Sequence, residues 1–252
     1  MTAVVPEIYR PKLISQDLLY VIGDASRNAP RSAQRLIGPS EMDMACAWRM
    51  LHALAQDKPD PTTQPVPWQA TIGTAVHAWL ADAFERSSLN AAVAQPRFLI
   101  EQRVTVGSIG GVQISGSCDL FDIDAAMVID WKIVGSTRLA LYRRKGPGRQ
   151  YRSQIHLYAR GLVNAGHHVR YVMIAFLPRN EPLSKAWFWS EPYDESVALA
   201  ALSRAEGFYN LIQQVGLPAA LSMYPPCADT WCPWCPAKPS SVADLMAERK
   251  SK

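Results

Sequence analysis

SGSCDLFDIDAAMVIDWKIV, residues 115–134, reads as two adjacent β-strands with acidic side chains and a lysine near their centre. If the turn between them is centred on Asp-Ala at 124–125, Asp119 lies directly opposite Asp130. The Cβ atoms of such cross-strand pairs are about 4.5–5.5 Å apart, and like charges there repel each other. Side chains alternate along a strand, so Lys132 falls on the same side as Asp130. We therefore expect three charged groups to converge on a sheet.

Two converging carboxylates beside an ammonium group suit a hard divalent cation, because Mg²⁺ and Mn²⁺ prefer oxygen ligands. A salt bridge on an exposed sheet face is the plain alternative, and it would explain an isolated Asp-x-Lys. The surrounding features favour the metal site: a Gly-x-x-Asp before it, a basic segment after it, and then Gln154 and Tyr158. These last two residues are four apart and share one face of a predicted helix.

Positive charge is concentrated directly after this motif. The chain of 252 residues has a net charge of +4, yet residues 131–180 contain ten basic side chains and no acidic one. The densest part, YRRKGPGRQYR at 142–152, would be a solvated loop in isolation. Beside the acidic pair it favours an anionic ligand, and nucleic acid above all. The residues expected to contact it are Arg143, Arg144, Lys145, Arg149 and Arg152.

The hydrophobic pattern predicts an α/β fold with a mixed central sheet and helices at both ends. A first helix is expected to begin at an N-cap Ser40. After a proline-rich segment, a second helix is expected to bury a stripe through Val76, Trp79, Leu80, Ala83 and Phe84. Three strands follow, the first two joined by a Gly110-Gly111 turn. The basic segment then leads into a helix, two further strands and a long closing helix.

Composition divides the chain into four parts of one expected domain, 1–252. Residues 36–100 form a helical amino-terminal part, and 101–190 form the core. Residues 191–236 carry the closing helix and a cysteine segment, and 237–252 are expected to be a flexible tail. No stretch approaches the ~20 apolar residues of a membrane span and no leader is evident, so we expect a cytoplasmic protein. No G-x-x-x-x-G-K-[ST] phosphate loop is present, which argues against ATP use by this chain.

Cys227, Cys232 and Cys235 form a C-x4-C-x2-C run. In a reducing compartment, such spacing indicates metal ligation rather than disulfide bonds. Three thiolates need a fourth ligand to complete a tetrathiolate site. Cys118 is a poor candidate, because strand alternation directs it away from Asp119 and toward the core, where a small thiol is normal.

Four motifs together resemble the PD-(D/E)XK nuclease superfamily, and within it the RecB and AddB type exonuclease domains and the iron-sulfur exonucleases of CRISPR adaptation systems. They are GTAVH at 73–77, GSCD at 116–119, DWK at 130–132 and QIHLY at 154–158. The resemblance extends over about residues 36–236. It implies a restriction-endonuclease-like core with a mixed sheet flanked by helices.

The resemblance implies a divalent metal site, with Mg²⁺ or Mn²⁺ bound by Asp119 and Asp130. His77 would be a further ligand, and the backbone carbonyl of Ile133 would complete the set. Taken alone, His77 would read as a core histidine at the edge of an apolar stripe.

The same resemblance implies catalytic roles for three other side chains. Lys132 would position the attacking water and stabilise charge on the phosphate. Gln154 and Tyr158 would support the site or contact the DNA backbone, although Tyr158 alone would read as ordinary packing.

The iron-sulfur members of this family pair one distant cysteine with three at the carboxyl end, and Cys46 matches that position. A cluster joining Cys46 to the terminal run would link the two ends of the chain and would be structural. A [4Fe-4S] cluster is expected. The spacing differs from the family's C-x2-C-x5-C, so zinc and [2Fe-2S] stay open, because thiolates suit all three.

Together these features predict a metal-dependent DNA exonuclease that hydrolyses phosphodiester bonds on single strands or DNA ends, in recombination, repair or spacer acquisition. An endonuclease or flap nuclease of the same fold is a close alternative. A DNA-binding scaffold subunit of a recombination or CRISPR-adaptation complex is another, although a scaffold has no need of converging carboxylates. A zinc-ribbon DNA-binding regulator would use the cysteines but would leave the acidic pair unexplained.

Overall fold

The computed structural model describes residues 11–29, 37–57, 66–87, 89, 96–228, 232 and 234–235, so the predicted tail at 237–252 lies outside the described residues. Within these ranges one sheet contains β1 (Phe98–Ile109), β2 (Val112–Asp122), β3 (Met127–Val134), β4 (Tyr171–Pro178) and β5 (Trp187–Pro192). The helices are α1 (Pro11–Arg27), α2 (Ala47–Leu54), α3 (Trp68–Glu85), α4 (Ser136–Lys145), α5 (Gly148–Asn164), α6 (Glu195–Val215) and α7 (Leu217–Ser222). No helix in the described part of the chain has the length and apolarity that crossing a bilayer requires.

The strands lie in the order β1-β2-β3-β4-β5. β3 and β4 are parallel, and the other neighbouring pairs are antiparallel. A parallel pair needs a long crossover connection, which α4 and α5 provide between β3 and β4. The predicted α/β fold with a mixed sheet flanked by helices is confirmed.

β2 and β3 pair in the register that the sequence predicts. Leu120 lies opposite Ile129 and Asp122 opposite Met127. Continuing this register by one residue brings Asp119 level with Asp130. The turn between the strands is longer than two residues, and the Asp122 carboxylate stabilises it by accepting hydrogen bonds from two successive backbone N–H groups, at 3.1 and 3.2 Å.

The two faces of the sheet bury different cores. The larger core lies between the sheet and α5, with α6 and α2 packed behind. The smaller core lies under α3, where Leu80 and Phe84 pack against Phe98 and Trp131. The ring of Phe84 stacks on Trp131 at 5.5 Å between centroids and meets the edge of Phe98 at 5.2 Å.

β1 changes the face that it presents to the core at Glu101. Phe98 and Ile100 belong to the core under α3, whereas Val104 and Val106 belong to the core under α5. Glu101, between these pairs, has a φ of 48°. A residue other than glycine in this left-handed region costs of order 1–3 kcal/mol, so the surrounding contacts must hold it there.

β2 changes face at the same level. Leu120 packs under α3, whereas Cys118 and Ile114 pack into the core on the α5 side. The residue between the two cores is Asp119. The β1–β2 hairpin therefore twists as a unit. At Glu101 on β1 and Asp119 on β2, both strands exchange the faces that they present to the two cores.

Two local sequence predictions are wrong. The first predicted helix does not begin at Ser40: α2 begins at Ala47 with Cys46 as its N-cap, whose Sγ accepts from the backbone N–H of Arg49 at 3.4 Å. The residues before α2 do not continue the helix, because Pro39–Glu41 form a 3₁₀ turn and Asp43 has a φ of 57°. The stripe predicted to be buried on α3 is only half-buried at Val76, Leu80, Ala83 and Phe84, and Trp79 is 63% exposed.

Glycine 161 on α5 allows close contact with β1 and predicts a stability difference. A Cβ atom at Gly161 would lie 2.6 Å from Val104 Cγ2, whereas one at Gly207 on α6 would meet no atom within 4 Å. We expect Gly161→Ala to lower the free energy of unfolding by about 1–3 kcal/mol through overpacking. Gly207→Ala is the matched control and should raise it by about 0.4–1 kcal/mol. Urea denaturation measures both, and equal effects would contradict the close packing.

Candidate active site

His77 on α3 lies between two acceptors, one on β2 and one on β3. Its Nδ1 is 3.2 Å from Asp119 Oδ1, and its Nε2 is 3.1 Å from the backbone oxygen of Trp131. Burial lowers the pKa of His77, but the hydrogen bond and negative charge of Asp119 outweigh it and raise the pKa above its usual value. With acceptors facing both nitrogens, the protonated ring is favoured.

Glu101 is a third potential ligand beside His77 and Asp119, and the sequence analysis did not identify it. One ligand atom from each of these three residues lies within 4.8 Å of the other two. Glu101 reaches this position because β1 turns over beside Asp119: Ile100 pairs with Leu120, so the next residue on each strand is level with the other. An imidazole and two carboxylates form a donor set that a divalent cation accepts.

Asp130 is fully buried, and its two oxygens have different partners. Oδ2 lies 2.5 Å from Lys132 Nζ, and Oδ1 accepts from the amide of Gln154 at 3.1 Å. Burial raises the pKa of Asp130 to about 6; Lys132 opposes this rise and the charge of Asp119 adds to it. The carboxylate is therefore held in place while its charge is only partly compensated.

Tyrosine side chains from α5 surround this pair. Lys132 Nζ lies 4.8 Å from the centroid of the Tyr151 ring, a cation–π distance. Tyr158 is buried, and burial raises the pKa of its hydroxyl far above the usual value, so the hydroxyl keeps its proton. Gly116 on β2 accommodates Tyr158, because a Cβ atom there would lie 3.2 Å from the ring.

One cavity of about 1000 Å³ contains these groups. The segment 37–40 and α3 form its walls, and the β1–β2 hairpin forms its floor. The sequence-predicted residues that line it, joined by Glu101, are His77, Asp119, Asp130, Lys132, Gln154 and Tyr158.

The donor set fits a hard divalent cation. Ligands at about 2.1 Å from one ion lie no more than about 4.2 Å apart. His77 Nδ1 and Asp119 Oδ1, at 3.2 Å, meet this limit, and the Glu101 ligand atom lies within 4.8 Å of both. Ile133 does not line the cavity. The carbonyl that faces His77 belongs to Trp131, and ligand roles for Asp130 and Ile133 stay predictions.

Four cysteines form a second candidate metal site, at Cys46 and the terminal run. The Sγ atom of Cys46 lies 3.9 Å from that of Cys232 and 3.6 Å from that of Cys235, which lies 3.7 Å from that of Cys227. All four ligand atoms lie within 4.8 Å of one another. Burial raises the pKa of the Cys46 and Cys235 thiols, and a bound cation would overcome this by stabilising the thiolates. Cys118 lies apart, buried in the core.

The predicted DNA-binding arginines of α5 are paired with acids from distant parts of the chain. Arg149 lies 3.1 Å from the buried carboxylate of Asp43, and Arg152 lies 2.5 Å from Glu191. Asp43 also accepts from Ser153 at 2.8 Å and so links the amino-terminal segment to α5. The remaining predicted contacts, Arg143, Arg144 and Lys145, lie exposed in the last turn of α4.

No protein-family model and no curated protein sequence matches the chain. Among solved structures, the chain is similar to SSO0001, at 15% identity with a TM-score of 0.45, over 80% of this chain and 88% of that one. It is also similar to LHK-Exo, an alkaline exonuclease from Laribacter hongkongensis solved with dAMP, at 13% identity with a TM-score of 0.42, over 69% of this chain and 80% of that one. A third similar structure is a protein from Eubacterium rectale that is provisionally described as an exonuclease. It is 14% identical with a TM-score of 0.45, over 88% of this chain and 96% of that one. Similarity of this extent does not assign an activity to the chain.

The contribution of Glu101 to a metal site can be measured directly. We expect Glu101→Gln to weaken Mn²⁺ binding at least tenfold, because even indirect supports of a metal ligand are worth 10–100-fold in affinity. Titration calorimetry on the full chain, with Glu85→Gln as the control at the exposed end of α3, measures the change. Equal affinity in the wild type and Glu101→Gln would exclude Glu101 as a ligand.

Proposed function

We propose that the chain is a metal-dependent nuclease that hydrolyses phosphodiester bonds of DNA, acting as an exonuclease on single strands or ends. The observation that carries the proposal is the meeting of three ligand groups (His77, Glu101 and Asp119) with the Asp130–Lys132 pair in one cavity. The carboxylate oxygens of this set suit Mg²⁺ or Mn²⁺. A bound cation of this kind neutralises phosphate charge and lowers the pKa of the water that attacks phosphorus.

The chain's own side chains would orient the reactants. Lys132 is restrained between Asp130 and the ring of Tyr151, so its ammonium group has little freedom to move. From there it would position the attacking water and stabilise the charge that develops on the phosphate. Gln154 holds Asp130 by a hydrogen bond to Oδ1, and this leaves Oδ2 for Lys132.

A scaffold role for the chain is less well supported. Two carboxylates more than nine-tenths buried repel a polyanion unless a cation lies between them, and a subunit that only binds DNA gains nothing from them. An endonuclease or flap nuclease would use the same groups, so the choice depends on the substrate. Participation in recombination, repair or spacer acquisition, with protein partners from those systems, stays a prediction.

The catalytic assignment is tested by removing the ammonium group. We expect Lys132→Met to slow cleavage of end-labelled single-stranded DNA at least about 10²-fold with Mn²⁺ present, because charge stabilisation of the transition state is lost. Lys185→Met changes an exposed lysine elsewhere and should cleave at the wild-type rate. Circular dichroism verifies that both variants fold.

A circular single strand separates the alternatives. An exonuclease leaves the circle intact, whereas an endonuclease opens it. Undiminished cleavage by Lys132→Met, or no cleavage by the wild type with either cation, would refute the proposed mechanism.

The cysteine site is proposed to be a structural metal centre that links the amino-terminal segment to the end of the chain. The family resemblance favours a [4Fe-4S] cluster. Three of the six Sγ separations are 3.6–3.9 Å and all lie within 4.8 Å, which favours a different occupant, a single tetrahedral ion such as zinc. Four thiolates at about 2.3 Å from one ion lie about 3.8 Å apart. In a cubane cluster each thiolate binds a different iron, so the four sulfurs stand further apart.

Cys232→Ser tests this centre. We expect loss of most of the bound metal and a lower melting temperature, because binding of a structural metal contributes directly to folding. Cys118→Ala is the control and should retain the metal. Elemental analysis and an absorption spectrum after anaerobic purification distinguish a colourless zinc protein from a brown iron-sulfur protein. Unchanged metal content in Cys232→Ser would remove this cysteine from the site.

A further inference from the structure

The outer face of the β1–β2 hairpin is polar along its length beside the acidic site. Beyond Glu101, β1 directs Val104 and Val106 toward α5, so Arg103 and Thr105 point the other way. Their partners on β2 are serines: Arg103 lies opposite Ser117, and Thr105 lies opposite Ser115. The hydroxyls of Thr105 and Ser115 are hydrogen-bonded at 2.9 Å.

This face forms part of the same cavity as the acidic site. Arg103, Gln113, Ser115 and Ser117 line it, and we call these four residues the hairpin track. Alternate residues of a strand are about 6.6–6.8 Å apart, so the track leads away from Asp119 in steps of that length.

Small side chains line the wall of the cavity that α3 forms. Thr74, Ala78 and Ala81 of α3 line the cavity at helical spacing, beside His77. The segment 37–40 also lines the cavity, and its Pro39 packs against the α5-facing side of β2, where a Cβ atom at Gly116 would be 2.9 Å from it. The cavity is thus lined by α3 and by the β1–β2 hairpin, and the track continues from the acidic groups along β2.

Arg103 is the charged residue of the hairpin track. Arg103 and Lys132 are the lysine and arginine side chains that line the cavity, in addition to His77. The arginines at 97, 149, 152, 160 and 204 each lie within ion-pair distance of a carboxylate. Among the described residues, Arg103 has no such partner, so its guanidinium is available to an anion. Arginine binds phosphate through paired N–H donors.

We infer that the hairpin track binds the sugar–phosphate backbone of single-stranded nucleic acid that leads to the acidic site. Arg103 binds a phosphate one strand step from Glu101, and the hydroxyls of Ser115 and Ser117 donate to the backbone beyond it. Contacts of this kind position a strand without reading its bases, so binding is independent of sequence. The inference rests on the proposed function for the nature of the ligand. It differs from the sequence prediction, which assigned backbone binding to the arginines at 149 and 152.

Fluorescence anisotropy with a labelled oligothymidylate tests the track. Ca²⁺ replaces Mn²⁺ so that binding is measured apart from cleavage. We expect Arg103→Gln to weaken binding about tenfold and to reduce the slope of log affinity against log salt by about 1, as loss of one phosphate contact does. Arg103→Lys should retain the salt slope with weaker binding, because the charge stays and the paired donors are lost. Arg170→Gln, at the far end of β4, is the matched control and should bind like the wild type.

Two further measurements separate this inference from the proposed nuclease function. If the wild type cleaves DNA with Mn²⁺ but Arg103→Gln binds with unchanged affinity and salt slope, the track is wrong and the nuclease stands. If no cleavage occurs but Arg103→Gln still weakens binding, the track stands and the nuclease fails. A wild type that does not bind the oligonucleotide overturns the track.

If Arg103→Gln melts at a lower temperature than the wild type, the double variant Ser115→Ala, Ser117→Ala replaces it in the binding measurement. Unchanged oligonucleotide binding by this double variant contradicts the track.

Discussion

The hydrogen bond from the backbone N–H of Trp131 to Asp119 Oδ2, 2.8 Å long, is the contact on which the site depends. Backbone pairing between β2 and β3 ends at Leu120 and Ile129, and the Asp119 side chain continues the connection by one further residue. A hydrogen bond to a charged group contributes about 1.5–3 kcal/mol. It lets the β1–β2 hairpin turn over without detaching from the sheet. The same carboxylate is left facing His77 and Glu101 through its other oxygen.

The charges at the site explain why a cation suits it. Burial, opposed by Lys132, raises the pKa of Asp130, whereas the hydrogen bond and charge of Asp119 raise the pKa of His77 in spite of its burial, so both groups hold protons more tightly than usual. The carboxylates of Asp119 and Asp130 are both buried. A divalent cation would take the place of these protons, since ligands must lose them to bind. Lys132 supplies one fixed positive charge but cannot balance three carboxylates alone.

Local sequence patterns are sufficient to predict several parts of the site. Two-residue alternation and the position of one turn were enough to align Asp119 with Asp130 and to set Lys132 beside them. The four-residue spacing of Gln154 and Tyr158 likewise placed both on the cavity side of α5. The family resemblance, rather than any local pattern, joined Cys46 to the terminal cysteines, and their sulfur atoms do lie together. These relations need only regular strand and helix geometry, or a known relative, to be predicted.

The position of Glu101 and the surroundings of the arginines depend on contacts between distant parts of the chain. Counting back from the Gly110-Gly111 turn would set Gln102 opposite Asp119, but a register shift between Thr105 and Gly107 moves Glu101 into that place. A bulge of this kind depends on how the hairpin packs over α5, which no local pattern encodes. Similarly, the arginines at 149 and 152 meet carboxylates that lie 106 and 39 positions away in the chain. Such pairs form because the folded chain brings distant segments into contact, so charge counting along the sequence could not separate paired arginines from the available Arg103.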